Sequence, residues 1–332
     1  MRNATASTLL PIAIIATGKA LPRVKLTSAE LDVQLGKPAG WVQSKSGIEH
    51  RYHASADERQ STLAAQALRD ALTRGDIDPD SIDLLLSASG VPEQALPCTA
   101  ALVLEQAGLR AGAPGFDINA TCLSFLTAFQ VAASLLNTTA YRRIAIVASD
   151  LASRGINWDH TEASLIFGDG AAAVIVERGD GTRGIEGYKL NTWPEGATYC
   201  EIRAGGTRRT PRTGAEPSDF LFHMDGKRIL RLGATAMDGL LADLFEETGL
   251  SFDDIDVVVP HQPSPLGMRY LTERVAADRL INIYPTHGNQ VAASIPTALH
   301  EAFVTGRAQP GRRLMLVGTA GGVSVGAVIL KL

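Results

Sequence analysis

The feature that most constrains this chain is an internal repeat. SIDLLLSASG at 81–90 is echoed by DIDVVVPHQP at 254–263, and YRRIAIVASD at 141–150 by GRRLMLVGTA at 311–320. AAAVIV near 171–176 is echoed by GAVILKL at the C-terminus. The first two pairs lie roughly 170 positions apart. A helical segment precedes each RR-strand, LTAFQVAASLL in one half and IPTALHEAFVTG in the other. The repeat predicts two similar halves, 1–178 and 179–332, packed about a pseudo-two-fold axis. The Gly- and charge-rich stretch Arg178 to Gly187 is the connection. Strands such as LLLS, IAIVA, VVVP and LMLVG are apolar throughout, which suits sheets covered on both faces by helices.

Other elements follow from local pattern. Residues 9–17 read as the first strand and 21–46 as loop and short helix. Residues 52–57 read as loop. Gln60 to Thr73 is helical, with Leu63, Ala67 and Leu72 on one side. Pro97 to Ala107 is another helix. Trp193 to Asp219 is rich in Gly and Pro and carries Arg203, Arg208, Arg209 and Arg212. It reads as an irregular surface excursion. Its arginines either meet a phosphate or acidic partner or are simply solvated.

In the first half an apolar run ends in a tight turn, a cysteine follows, and a long amphipathic helix begins: Asp117-Ile118-Asn119-Ala120-Thr121-Cys122-Leu123-Ser124-Phe125. A thiol at a helix start meets unpaired N–H groups and the positive end of the macrodipole, which favour thiolate. The competing reading is a small buried hydrophobe. The three cysteines, Cys98, Cys122 and Cys200, show no paired spacing. That gives no disulfide framework or zinc signature and points to a reducing, cytoplasmic setting. A net charge of −4 argues against nucleic acid. The apolar run TLLPIAIIATG is short, contains proline and lacks a signal peptide's basic start, so it reads as a strand. No apolar stretch is long enough to span a bilayer.

The second half offers two polar features where equivalent loops should converge. His261 directly follows the strand Val257-Val258-Val259-Pro260. Asn289, in His287-Gly288-Asn289, precedes a helix start and would otherwise be only a cap. Cys, His and Asn at the ends of equivalent elements suit thioester carbon–carbon bond formation. The thiolate accepts an acyl group. Neutral His and Asn then stabilise the enolate left by decarboxylation of a second thioester, and backbone N–H groups hold the oxyanion. Gly321-Gly322 is a candidate oxyanion wall, since glycine lets backbone approach closely.

DINATCLSF, VPHQ, HGNQVAAS, IFGDGAAAVIV and the C-terminal GG-strand together resemble β-ketoacyl-acyl-carrier-protein synthase III, in order over nearly the whole chain. The resemblance implies a thiolase-like, five-layered αβαβα α/β fold with mixed sheets around central helices. It implies Cys122 as nucleophile, His261 and Asn289 as the decarboxylation pair, and an oxyanion hole from the Cys122 and Gly321 N–H groups. It also implies coenzyme A contacts from Trp41, Lys45, Arg154 and Lys227, and an acyl pocket involving Leu96 of a partner loop and Thr319. Implied partners are acyl-CoA, malonyl-acyl carrier protein and a second copy in a homodimer, with no nucleic acid and no membrane. No cofactor is implied beyond the coenzyme A thioester as substrate.

Departures from the family pattern cluster on the extender side. Lys45 replaces an arginine, Pro263 and Ser264 replace alanine and asparagine, and Thr319 stands where an aromatic is usual. Leu266 replaces an arginine linked to carrier-protein docking, with Arg269 a turn further on as a substitute. A specialised starter or condensing enzyme of a polyene, polyketide or quinolone-type pathway is therefore the alternative. An inactive partner subunit is the non-enzyme reading, disfavoured because all three polar residues are present. A degradative thiolase needs a second cysteine by the C-terminal glycines, and none follows Cys200. A head-to-head condensing enzyme needs a glutamate where Leu96 stands. Gly322-Val323-Ser324-Val325-Gly326 matches a serine-hydrolase elbow by letter, but too little chain follows it. Nothing near His50 and His53 completes a metal site. Cys98 and Cys200 read as inert.

Overall fold

The computed structural model describes residues 9–332. The first eight residues, on which the reading of the chain start partly rests, lie outside the described residues.

Two five-stranded sheets repeat one plan. The first runs in the order Ala13–Ala20, Gly170–Glu177, Arg143–Asp150, Leu84–Ser87, Gly115–Asp117. The second runs Leu10–Pro11, Gly184–Thr192, Ser324–Lys331, Arg313–Ala320, Val257–Pro260. In each, an antiparallel hairpin begins with the RR-strand, and that strand pairs in parallel with LLLS or VVVP. The second arginine of each RR pair bonds a glutamate, though the two glutamates sit on non-equivalent strands. Arg143 Nε donates to Glu177 at 2.7 Å, and Arg313 Nε donates to Glu186 at 2.7 Å.

Strand side chains alternate between two faces, and the apolar runs bury both. Leu84, Leu86, Ile144, Ile146 and Val174 point into the space between the sheets, as do Val257, Val259, Leu314, Leu316 and Val328. That space holds the helices Ser124–Leu136 and Ser294–Val304, which contribute Phe125, Phe129, Ile295 and Leu299. Each such large side chain taken fully from water contributes about 1.5–3 kcal/mol. Leu85, Val147 and Ile175 face outward, onto the helices Gln60–Gly75 and Thr99–Ala107. Val258, Met315 and Ile329 face the other way, onto Gly226–Thr248 and Pro265–Thr272. The result is helices, sheet, central helix pair, sheet, helices.

The structure departs from the sequence reading in four places. Gly184–Gly187, read as part of the connection, belongs to the strand Gly184–Thr192. Residues 21–57 are not mainly loop: Val24–Thr27 pairs antiparallel with His50–His53. The polar HRYH run hides this strand, because Arg51 bonds where an apolar residue would pack: it is fully buried and donates to Ser28 Oγ at 3.0 Å. Leu10–Pro11 belongs by sequence to the first half but joins the second sheet, pairing with Ile185 and Gly184. The Trp193–Asp219 excursion is irregular as read, yet it contains the short strand Cys200–Glu201, which pairs with His223–Met224.

Among the described residues no helix is long and apolar enough to cross a membrane, and no group of three or more His, Cys, Asp or Glu is placed to hold a metal ion.

Candidate active site

Cys122, His261 and Asn289 line one cavity of about 1520 Å³, together with Trp41, Lys45, Arg154, Thr319 and Gly321. The repeat accounts for much of this convergence: Cys122 and Asn289 lie in equivalent turns of the two halves, and His261 follows the strand Val257–Pro260.

The cysteine is set by a strained turn. Thr121 adopts φ of +52°, a left-handed conformation that is costly for a β-branched residue. The Thr121 N–H donates to Asn119 Oδ1 at 2.9 Å, and the Ala120 N–H donates to Ser124 Oγ at 2.9 Å. Thr121 Oγ1 donates to the Gly321 carbonyl at 3.3 Å, which ties this turn to the C-terminal glycine loop. No side chain caps the helix that follows.

The expectation that the helix start alone favours thiolate is corrected by burial. Desolvation pushes the Cys122 thiol well above its ordinary range, with Cys200 and Asp150 adding to the effect. The backbone N–H groups of Gly321 and Cys122 itself act the other way, because they hydrogen-bond the charged form. Those two N–H groups are the pair read from sequence as an oxyanion hole.

His261 is 2% exposed, and its backbone N–H donates to the Val317 carbonyl at 2.8 Å. Gly318 makes this approach possible: a Cβ there would lie 2.7 Å from His261 Cβ and 3.1 Å from Leu123 Cδ2. Burial holds the imidazole down to about 3, so it is neutral at physiological pH, and its Nδ1 has no partner.

Asn289 is not a simple helix cap. Its backbone N–H donates to Ile166 O at 2.7 Å, and its carbonyl accepts from the Gly168 N–H at 3.1 Å. The side chain donates from Nδ2 to Pro263 O at 3.1 Å and accepts the Val291 N–H at 2.8 Å on Oδ1. Gly288, at φ +68°, is required here, since a Cβ would stand 2.8 Å from Ile166 O. Nearby His287 is buried, held down to about 4, and donates or accepts at Thr286 Oγ1 over 2.8 Å.

The other expected residues divide. At the mouth, Lys37 Nζ sits 5.1 Å over the Trp41 ring, and Arg154 donates to Ser55 O at 2.6 Å. Leu96, Lys227 and Arg269 are not among the cavity-lining residues. Leu96 is 84% exposed. Lys227 is exposed, and Arg269 donates to Glu273 at 2.9 Å on the surface of its helix. Ser264 has a local purpose: its Oγ accepts the Gly267 N–H and caps that helix.

Two lining residues escaped the sequence reading. Asp150 is buried and pushed up to about 8 by desolvation, against the pull of N–H groups from Val91, Gly90 and Ala292. Its position at the end of the RR-strand was the available signal. Cys200 lines the cavity too, and its sulfur lies 3.5 Å from where a Gly321 Cβ would be. Sequence order placed it far from both Cys122 and the glycines, and only the folded excursion brings it there.

Known proteins agree with this architecture. The sequence profile of 3-oxoacyl-(acyl-carrier-protein) synthase III matches residues 116–194, and its C-terminal profile matches 245–332. A β-ketoacyl-(acyl-carrier-protein) synthase III from Erythrobacter litoralis is 32% identical over 328 residues, covering 97% of this chain and 100% of that protein. The synthase III structure from Thermus thermophilus superposes with TM-score 0.87 at 28% identity, covering 96% and 99% of the two chains. OleA from Xanthomonas campestris superposes with TM-score 0.84 at 21% identity, covering 97% and 98%, and speaks to the fold alone.

Two like halves around a buried helix pair, with a cysteine at the start of one helix, define the thiolase-fold acyltransferases. Within that class, the chain belongs to the 3-oxoacyl-(acyl-carrier-protein) synthase III family.

Proposed function

We propose that the protein condenses an acyl-CoA primer with malonyl-acyl carrier protein, with loss of CO2, to give a 3-oxoacyl thioester that initiates fatty acid synthesis. The observation that carries this reading is the shared cavity, which Cys122, His261 and Asn289 line together with Trp41, Lys45 and Arg154.

Cys122 attacks the primer thioester, and coenzyme A leaves as its thiol. The Gly321 and Cys122 N–H groups receive the negative oxygen formed in that step. Their pull works against the burial that disfavours thiolate without overcoming it. Malonyl thioester then enters, and His261 and Asn289 donate to its carbonyl oxygen. A neutral histidine can fill this role, since one ring nitrogen still carries an N–H to donate. Loss of CO2 leaves an enolate that attacks the acyl-cysteine, and the Cys122 thiolate departs. The halves 1–178 and 179–332 divide this labour, one carrying the nucleophile and the other the donors. The protein acts as a cytoplasmic homodimer, with Leu96 covering the partner's acyl pocket, and it needs no cofactor beyond the thioesters. Lys227 and Arg269 serve at the surface, on coenzyme A and the carrier protein respectively.

Incubation with a panel of acyl-CoAs, read by intact mass, tests the reading. One acyl mass should appear on Cys122 and disappear when malonyl-acyl carrier protein is added, with a 3-oxoacyl product formed. A protein that accepts no acyl group, or whose acyl group never moves to malonyl carrier, refutes it.

A further inference from the structure

The proposed reaction uses one thiol, yet the cavity contains two. Cys200 begins the short strand Cys200–Glu201, where it pairs with Met224, and both this residue and Cys122 line the same space. Gly321 adjoins both. Its carbonyl accepts from Thr121 Oγ1, in the residue before Cys122, at 3.3 Å, and Gly321 and Cys200 both act on the Cys122 thiol. A Cβ at 321 would lie 3.5 Å from the Cys200 sulfur and 3.2 Å from its carbonyl oxygen, so glycine lets Cys200 lie close. Cys98, by contrast, packs with the outer core of the first half.

We propose that Cys200 is a resolving thiol for Cys122, converting an oxidised nucleophile into a reducible disulfide before it is lost. The proposal rests on Cys122 being the reactive thiol. The oxidant is a peroxide. In the first step the Cys122 sulfur attacks the peroxide, an S–O bond forms, the O–O bond breaks, and water leaves. Cys122 becomes a sulfenic acid, oxidised by two electrons. In the second step the Cys200 sulfur attacks the Cys122 sulfur. An S–S bond forms, the S–O bond breaks, and the oxygen departs as water with the Cys200 proton. Two thiols and one hydrogen peroxide thus give one disulfide and two waters.

Burial keeps both thiols protonated, Cys200 up to about 12. Neither is therefore a fast sensor. The arrangement is suited to repair: the first oxidation is slow, and the second step is intramolecular, favoured by proximity over a further collision with peroxide.

The test treats the intact protein with hydrogen peroxide, then with a thiol reductant, and follows mass and acyl acceptance. The wild type should lose the mass of two hydrogens, show a Cys122–Cys200 linked peptide, and recover acyl acceptance on reduction. Cys200→Ser and Cys200→Ala, checked for folding by circular dichroism, should instead gain two or three oxygens on Cys122. Their recoverable acyl acceptance should be at least about tenfold lower. Oxygen addition at Cys122 in the wild type with no linked peptide overturns the proposal, as does a disulfide that uses Cys98. Acyl transfer before oxidation is read in the same spectra. Its absence counts against the proposed function, while an acylated protein that forms no disulfide counts against this inference alone.

Discussion

Thr121 and Val291 adopt the same φ, +52°, in two turns that duplicate each other atom for atom. Each N–H donates to an asparagine Oδ1 two residues earlier, Asn119 at 2.9 Å and Asn289 at 2.8 Å. Each is followed by a serine whose Oγ takes the N–H four residues back, Ser124 from Ala120 and Ser294 from Gln290. The next residue is Cys122 in one turn and Ala292 in the other. The repeat therefore supplies one strained turn twice. Both copies keep the asparagine, and they differ at the position after the strained residue, a thiol in one and a methyl in the other.

Replacing Cys122 by Ser or Ala should lower condensation by more than about 10³-fold, because no acyl-enzyme forms. Intact mass should show no acyl adduct. Product formation near the wild-type rate would remove Cys122 from the mechanism.

His261→Ala and Asn289→Ala should still take an acyl group but lose about 10²–10³ in condensation rate, the usual cost of one such donor. The acyl-enzyme should accumulate when malonyl carrier is supplied. A variant that fails already at acylation would show that its side chain acts in the first step instead.

Gly318→Ala should displace His261, since the new methyl would sit 2.7 Å from His261 Cβ and 3.1 Å from Leu123 Cδ2. Overpacking of this kind costs about 1–3 kcal/mol. A lower urea midpoint and reduced condensation are expected together; unchanged values for both would mean that the strand absorbs the methyl.

Acid should weaken the fold through His261. Its folded value is depressed to about 3 by burial, against an ordinary value of about 6.5. Between those values the unfolded chain binds a proton that the native state refuses, so stability is full above the upper value and is lost as pH falls toward the lower. His287, held down to about 4, adds in the same direction. Asp150 opposes them: its folded value is raised to about 8, so its contribution is fully present below the ordinary carboxylate range and fades as pH rises toward that value. Urea unfolding at pH 7 and pH 5 should show a drop in the wild type that is smaller in His261→Gln. An equal drop in both would assign the acid sensitivity elsewhere.

The layers were legible because the apolar strands repeat and because a sheet buried on both faces needs such runs. Leu84 and Leu85 point to opposite cores, which explains why no polar alternation marks them. The trio was legible because Cys122 and Asn289 precede matching helices and His261 directly follows an apolar strand. Cys200 was not, since its place depends on how an irregular, Gly-rich segment folds back, which no periodicity encodes. The Val24–Thr27 and His50–His53 pairing escaped for a related reason: its strands are polar, and a buried arginine reads as surface in a sequence. The thiol's charge preference was misjudged because helix position is visible in the sequence while desolvation is not.

Asn289 belongs to one half by chain and to the other by hydrogen bonding, through Ile166 and Gly168. The turn before Cys122 is tied across the halves too, through Thr121 Oγ1 and the Gly321 carbonyl. A slight parting of the halves on heating should therefore cost acyl acceptance and carbon–carbon bond formation together. A warmed sample would lose both half-reactions over one temperature range instead of stalling as an acylated protein.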